Sequence, residues 1–305
     1  MYLENDCDCL VAVGGGSSID CAKALGARIA RPKKSLKQLK GLLKVGRKLP
    51  LLIAIPTTAG TGSEVTIASV ITDSIKHHKY TILAFNLIPS IAVLDPKSTI
   101  SLPPHLTATT GMDALTHAVE AYIGRSTTKD TRKKSIEAIK LIFENIEKAY
   151  LNGNDLEARS NMLKASYLAG IAFTKSYVGY VHAIAHSLGG QYNIPHGLAN
   201  AVILPVVLKK YGKAIYKKLH NLAVEVGISQ KDEKIEDSAN KFIDAILMLN
   251  QKMNIPTSIN EIQEKDINVM VKHADKEANP LYPVPVLYGR NELKDIYIKL
   301  NNYKK

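Results

Sequence analysis

The spacing of apolar residues divides the chain into a strand-rich first third and a helix-rich remainder. Short apolar runs bounded by turn residues predict strands at 9–13, 49–56, 65–72, 79–85 and 90–95, and a Ser-led periodic run predicts a helix at 17–30. Beyond residue 104, apolar positions recur at helical spacing and predict helices over 105–123, 129–150, 155–174, 177–190, 196–211, 213–226, 235–252 and 290–300. We therefore expect an α/β domain over residues 1–103, an all-helical domain over 104–305, and a ligand cleft between them.

Composition narrows the class of protein. The 305 residues are 46% hydrophobic and 22% charged, an ordinary globular balance, and no apolar run of about 18 residues predicts a membrane span. Without a secretory leader pattern, a cytoplasmic protein is expected. The net charge of +12 is spread over several lysine-rich runs at helical spacing, which favours solvated helix faces over a nucleic-acid surface. The three cysteines near the start are expected to be small buried residues rather than disulfides.

Three glycines follow the first predicted strand. In "VAVGGGSSIDCAKALG", Gly14, Gly15 and Gly16 lead into a helix that begins near Ser17. Backbone N–H groups at a helix N-terminus favour an anion, and glycine lets a phosphate approach closely. The spacing is not the G-x-G-x-x-G fingerprint, and a tight turn without a ligand explains it equally well.

A second loop, "IPTTAGTGSEVT", is dense in hydroxyl groups. Thr57, Thr58 and Thr61 alternate with glycines directly after a buried strand. Such a loop can bond to a ribose, a phosphate or a carboxamide, although Thr/Gly loops are also common turns.

An acid and an imidazole share one helix face in "TATTGMDALTHAVEAYI". Asp113 and His117 are four residues apart among apolar neighbours, so their side chains lie on the same face. A buried carboxylate and imidazole need a compensating partner, which is either a cation or simply each other.

Three histidines cluster in "VGYVHAIAHSLGGQYNIPHGLANAV". His182 and His186 lie one helical turn apart, Gly189-Gly190 is expected to end their helix, and Pro195 precedes His196 at the start of the next. A helix-loop-helix would let His182 and His196 converge. Together with the Asp113/His117 helix, this clustering favours a metal site with one open position. Nitrogen and oxygen ligands suit Fe(II) or Zn(II), and the spacing does not choose between them.

These motifs together resemble the iron-containing (group III) alcohol dehydrogenase family. The segments "GGGSSIDCAK", "IPTTAGTGSE", "GMDALTHAVEAY" and "HAIAHSLGGQYNIPHG" occur in the family's order. The resemblance implies a Rossmann-like α/β nucleotide-binding domain, an all-α metal-binding domain, NAD or NADP, and one divalent metal in the cleft. A homodimer is expected by analogy.

The resemblance also assigns roles to individual positions. It implies metal ligation by Asp113, His117, His182 and His196, and a non-ligand histidine beside the substrate at His186. It implies cofactor binding by Gly14, Gly15, Gly16, Ser17, Thr57, Thr58, Thr61 and Lys79.

One departure from the family's pattern lies at the start. Family members normally carry a further βαβ unit of about 80 residues before the "VAVGGGS" strand, but here Val11 stands ten residues after Met1. We therefore expect a truncated nucleotide-binding domain with an exposed sheet edge.

The expected activity is interconversion of a small primary alcohol and its aldehyde by hydride transfer. The alternatives are a glycerol-type polyol dehydrogenase or dehydroquinate-synthase-like enzyme, and a catalytically impaired metal-binding fragment or interaction subunit. The Asp-x-x-x-His helix favours the alcohol dehydrogenase branch.

Overall fold

The structure is a computed structural model that describes residues 2–73 and 78–301, with only the backbone described at 73, 78 and 79. The strands are β1 (Cys9–Gly14), β2 (Gly41–Leu42), β3 (Leu51–Pro56), β4 (Ala68–Asp73), β5 (His78–Leu83) and β6 (Ile91–Ala92). The helices are α1 (Gly16–Ala30), α2 (Leu36–Leu39), α3 (Pro104–Ile123), α4 (Lys129–Leu151), α5 (Leu156–Ser176), α6 (Tyr180–Tyr192), α7 (His196–Tyr211), α8 (Tyr216–Glu225), α9 (Ile235–Lys252), α10 (Glu264–Ala278) and α11 (Arg290–Leu300). The predicted combination of an α/β N-terminal region and a helical C-terminal domain is confirmed.

A parallel sheet in the order β1-β3-β6 organises the N-terminal region. Helix α1 covers one face, where Ile19 packs with Ala12, Leu52 and Ala54. On the other face apolar side chains are exposed, with Val13 at 60%. In the described part of the chain β1 forms an edge of this sheet, as expected.

A second sheet has the order β2-β5-β4, with β2 parallel and β4 antiparallel to β5. Its small core joins Ile82 and Ala84 to Ala27 of α1 and to Leu39 and Val45 in the connecting segment. The strand predicted at 65–72 begins only at Ala68, because Ser63–Val65 form a 3₁₀ turn.

The helical domain holds the main hydrophobic core, which runs from α3 to α11. Helices α7, α9 and α11 have the bounds that the apolar spacing predicts, whereas α10 was not predicted. The expectation that Gly189-Gly190 ends α6 is wrong, because the helix continues to Tyr192 and closes at Asn193 in the left-handed conformation. The domain boundary at residue 103 stays a prediction.

Helix α7 contains an internal proline that a distant side chain compensates. Pro205 has no N–H, so the carbonyl of Ala201 one turn earlier loses its helical donor. The amide Nδ2 of Asn250, on α9, donates to that carbonyl at 2.7 Å. This bond lets α7 continue through Pro205 toward its end at Tyr211.

The cysteine expectation is corrected. All three are free, but Cys7 and Cys21 are exposed and Cys9 is only partly covered. Cys7 lies before β1, Cys9 is the first residue of β1 and Cys21 lies on the exposed side of α1, where small apolar neighbours in sequence do not translate into burial. Separately, the described helices include none that is long and apolar enough to cross a membrane.

A buried polar cluster attaches α1 to β4. Lys23 is fully buried and donates from Nζ to the Thr66 carbonyl at 2.9 Å and the Ala68 carbonyl at 2.8 Å. One carboxylate oxygen of Asp20 accepts the Ser63 hydroxyl, and the other accepts the backbone N–H of Val70. The lysine thereby replaces its lost hydration with carbonyl oxygens and a nearby carboxylate.

Glu64 lies beside this cluster with Oε1 buried and unpaired among the described residues. Burial raises the pKa of Glu64 to about 7, because the charged form is poorly solvated there. The folded protein therefore keeps a proton on Glu64 that the unfolded chain releases near pH 4.5. This contribution to stability is full below pH 4.5 and is lost as the pH rises through 7.

We expect Glu64→Gln to remove this pH dependence, because the amide resembles the protonated acid. The free energy of unfolding of the variant should be nearly equal to that of wild type at pH 5 and higher by about 2–3 kcal/mol at pH 8. Urea unfolding at the two pH values measures the difference. A stability difference that does not change with pH would contradict the assignment.

Candidate metal centre and cofactor loops

Helix α3 places two of the expected ligands in the core. Asp113 and His117 lie one turn apart and are 2% and 5% exposed. The prediction that they share a buried helix face is confirmed.

Two histidines from other helices face the same carboxylate. Nε2 of His182, on α6, lies 3.7 Å from Oδ1 of Asp113, and Nε2 of His196, the first residue of α7, lies 3.5 Å from the same oxygen. One ligand atom from each of these three residues lies within 4.8 Å of the others. The helix-loop-helix therefore brings His182 and His196 together.

His117 lies beside this group but is not one of the three. Its ring stacks between Phe173 and His182, at centroid distances of 4.1 and 4.4 Å. Nδ1 of His117 is buried and has no hydrogen-bond partner in the described chain. Three of the four expected ligands thus share one point, with the fourth in contact with one of them.

The electrostatics of the site follow from one carboxylate among several imidazoles. Burial disfavours the charged form of Asp113, but His117 and His196 lower its pKa well below the usual range. Burial likewise lowers the pKa of His117 to about 3 and that of His196 well below its ordinary value. Both imidazoles are therefore neutral, and neutral imidazole is the form that binds metals.

His182 is the exception. Burial opposes its protonation, yet the neighbouring carboxylates of Asp113 and Glu120 raise its pKa to about 9. Its buried Nε2 has no hydrogen-bond partner in the described chain, although it faces the Asp113 carboxylate. A positive charge is thus favoured at this position, and two nitrogens with one carboxylate oxygen suit a divalent cation such as Fe(II) or Zn(II).

Two further residues support the ligands, and the sequence analysis missed both. Glu120 accepts Nδ1–H of His182 at 2.7 Å, and Asn200 donates from Nδ2 to Asp113 at 2.6 Å while lying 3.1 Å from Nε2 of His196. Glu120 follows Asp113 by seven residues and Asn200 follows His196 by four. Helical spacing from a ligand was therefore the available signal.

His186 points to the open side of the cluster. Its ring stacks on His196 at a centroid distance of 5.0 Å, and its side chain is 31% exposed. Nδ1 lies 2.6 Å from Oε1 of Glu277, which also accepts the hydroxyl of Tyr282 at 2.8 Å. Glu277 lies on α10, 91 residues away, and no sequence signal linked it to His186.

The two loops expected to bind the cofactor lie against each other. Residues Gly14 to Ser17 span the junction between the end of β1 and the first turn of α1. Thr57 donates its backbone N–H to the Gly14 carbonyl at 3.0 Å. A Cβ at Gly16 would lie 2.8 Å from Thr61, so glycine is required for this approach. A Cβ added at Gly15 would lie 3.4 Å from the side chain of Thr58, so Gly15 also packs against this loop.

This arrangement leaves the start of α1 available to a ligand. Gly15 caps α1 without a side-chain hydrogen bond, and Ser17 is exposed. Such a helix start suits a phosphate, and the adjacent hydroxyls can bond to it. Lys79 lies in β5, where its backbone pairs with Thr72 of β4. Its side chain lies outside the described residues, so its expected cofactor contact stays a prediction.

Two family models together match most of the chain. Residues 1–96 match "Iron-containing alcohol dehydrogenase", and residues 107–300 match "Fe-containing alcohol dehydrogenase family, C-terminal". The chain therefore belongs to the iron-containing alcohol dehydrogenase family, as the motifs indicated.

Individual relatives agree with this membership. The chain is 41% identical over 281 residues to the 1,3-propanediol dehydrogenase of Klebsiella pneumoniae, covering 92% of this chain and 72% of the relative. It is 38% identical over 276 residues to the NAD-dependent methanol dehydrogenase of Bacillus methanolicus, covering 90% of this chain and 72% of the relative. A crystal structure of 1,3-propanediol oxidoreductase superposes with a TM-score of 0.93 at 38% identity, covering 98% and 78%. The protein is an oxidoreductase that acts on alcohols.

The start of α7 must approach α3 closely for His196 to reach Asp113. A Cβ at Gly197 would lie 2.4 Å from the backbone carbonyl oxygen of Thr109, whereas a Cβ at Gly190 would meet nothing within 4 Å. We expect Gly197→Ala to lower the free energy of unfolding by about 1–3 kcal/mol through overpacking. The matched Gly190→Ala should be neutral or stabilising by about 0.5–1 kcal/mol. Urea unfolding compares them, and equal effects would argue against this helix approach.

Proposed function

We propose that the protein is a divalent-metal-dependent, NAD(P)-dependent dehydrogenase that interconverts a small primary alcohol and its aldehyde. The observation that carries the proposal is the convergence of Asp113, His182 and His196, whose ligand atoms lie within 4.8 Å of one another. The donor set and the favoured positive charge beside Asp113 support a resident cation. His117, in contact with His182, completes the ligand set that the family resemblance implies.

The chain's own groups divide the work of the reaction. When bound, the cation would supply a Lewis acid for the alcohol oxygen, and the nicotinamide would supply the hydride acceptor. The glycine turn before α1 and the Thr57–Thr61 loop would bind and orient the cofactor. Buried apolar residues around Asp113 and His117 exclude water and strengthen the local electrostatics.

His186 is suited to move the hydroxyl proton of the alcohol toward solvent. The carboxylate of Glu277 accepts a hydrogen bond from Nδ1 of His186. This assigns a proton to Nδ1 and leaves Nε2 of His186 as the acceptor. Partial exposure gives the ring access to solvent, while its contact with His196 keeps it beside the ligands. Oxidation of the alcohol releases one proton and one hydride, so a proton acceptor at this position completes the balance.

The substrate class rests on the relatives. The similar proteins are named for 1,3-propanediol and methanol, both of which carry primary alcohols. The NAD-dependent relative supports a nicotinamide cofactor here, with NADP as the alternative. The expectations of a homodimer and of a cytoplasmic protein that binds no nucleic acid stay predictions.

Turnover tests the proposed function directly. The purified protein, reconstituted with Fe(II) or Zn(II), should oxidise NADH or NADPH in the presence of propanal or 3-hydroxypropanal, and a chelator should abolish the reaction. The change in absorbance of the reduced nicotinamide measures it. Bound metal without turnover for either cofactor would instead support an impaired metal-binding protein.

Two histidine variants should separate metal binding from proton transfer. We expect His196→Ala to lose both the metal and turnover, because it removes a ligand. His186→Ala should keep the metal and lose about 10²–10⁴-fold in kcat, because it removes only the proton acceptor. The exposed His273, on α10, provides the control substitution His273→Ala. Metal content by mass spectrometry and steady-state rates check the difference; equal metal loss in the first two variants would refute these roles.

A further inference from the structure

Glu120 makes an unusual set of contacts for a buried acid. Its side chain is nearly inaccessible to solvent, on the face of α3 that also carries Asp113. Oε2 accepts Nδ1–H of His182 at 2.7 Å and the backbone N–H of Gly179 at 2.8 Å. Oε1 accepts the backbone N–H of Val181 at 2.8 Å. Three donors on or next to α6 therefore meet one carboxylate from α3.

These contacts replace a local cap on α6. The residue before the helix is Gly179, which has no side chain that could accept hydrogen bonds from the first helical N–H groups. The first N–H groups of a helix have no partners within it, and a negative charge there is favourable. Glu120 supplies both the acceptors and the charge, so α3 determines where α6 begins.

The same carboxylate determines the orientation of the His182 ring. A hydrogen bond at Nδ1 assigns a proton to that nitrogen, so Nε2, which lies 3.7 Å from Oδ1 of Asp113, is the nitrogen left to bind a cation. Imidazole ligands of metals are commonly held by such a bond from the other ring nitrogen to a carboxylate.

We propose that Glu120 is a positioning residue of the metal centre, which fixes the ring orientation and tautomer of His182 and the register of α6 relative to α3. The proposal rests on the proposed function, because it assumes that His182 binds a cation. Glu120 acts only through His182 and does not touch the substrate, and its loss should weaken metal binding before it affects any other step.

Gly179 provides an independent way to disturb this contact. A Cβ at Gly179 would lie 2.6 Å from Oε1 of Glu120. The φ angle of −134° at Gly179 is open to alanine, so Gly179→Ala should displace the carboxylate without strain in its own backbone. It also leaves the charge of Glu120 unchanged.

A matched pair of carboxylate variants tests the role. Glu120→Gln alters a carboxylate bonded to an expected ligand, and Glu277→Gln alters one bonded to the non-ligand His186. Metal-free full-length protein is titrated with Zn(II) against a competing chelator. We expect about 10–100-fold weaker binding for Glu120→Gln and Gly179→Ala. Glu277→Gln and Gly190→Ala should bind zinc as tightly as wild type.

The outcomes separate this proposal from the proposed function. If wild type binds no zinc, the proposed function fails. If wild type binds zinc and Glu120→Gln binds it equally well, the positioning role is overturned while the metal site stands. Far-UV circular dichroism of the metal-free proteins shows whether each variant is folded. If Glu120→Gln is not folded, the zinc affinity of Gly179→Ala decides whether Glu120 has the positioning role.

A measurement on wild type tests the contact without any change at Glu120 or Gly179. In zinc-loaded protein labelled with ¹⁵N-histidine, His182 should appear as the Nδ1–H tautomer with a slowly exchanging proton, because that proton is buried against Glu120. His182→Gln identifies the signal by its disappearance. A His182 ring without a protected Nδ1–H would contradict the proposal, whatever the variants show.

Discussion

A carboxylate buried among several imidazoles is the constraint on which the helical domain depends. Asp113 has almost no contact with water, and an ion in such a place is costly unless charge and hydrogen bonds surround it. His182 and His196 approach it from two helices, and Asn200 donates to it directly. The packing of α3, α6 and α7 is therefore fixed by polar contacts as well as by the aliphatic core. The same arrangement brings one ligand atom each of Asp113, His182 and His196 within 4.8 Å of the others, a geometry that suits a cation.

Two carboxylate–imidazole pairs in the site have different consequences. Glu120 and His182 are both buried, and their bond orients a nitrogen toward Asp113. Glu277 and His186 are each about one-third exposed, and their bond leaves a nitrogen at the open side of the cluster. The chemistry of the pairs is identical, so burial and direction alone distinguish the proposed ligand His182 from the proposed proton acceptor His186.

Close backbone contacts connect the cofactor loop to the ligand helix. A Cβ at Gly60 would lie 2.7 Å from Thr110 on α3, and Gly62, in the left-handed conformation, packs against Gly170 on α5. These glycines allow the Thr57–Thr61 loop to lie directly on the helices that carry and support Asp113. The proposed cofactor loops and the proposed metal centre are consequently held in fixed relation, which the proposed hydride transfer requires.

The sequence by itself determined the local elements and the chemical types at the site. Helical periodicity placed α7, α9 and α11 within their observed bounds and put Asp113 and His117 on one face, because these features depend on neighbours three or four residues away. It missed α10, although the buried residues of that helix recur at helical spacing from Ile267 to Ala278, and it missed the end of α6, where the helix continues through two glycines. Only the tertiary structure decided which side chains share a point: that Glu120 holds His182, that Glu277 holds His186, and that His117 stands beside the other three rather than among them. Those contacts join residues up to 91 positions apart, and their distances depend on how helices pack, which local spacing does not contain.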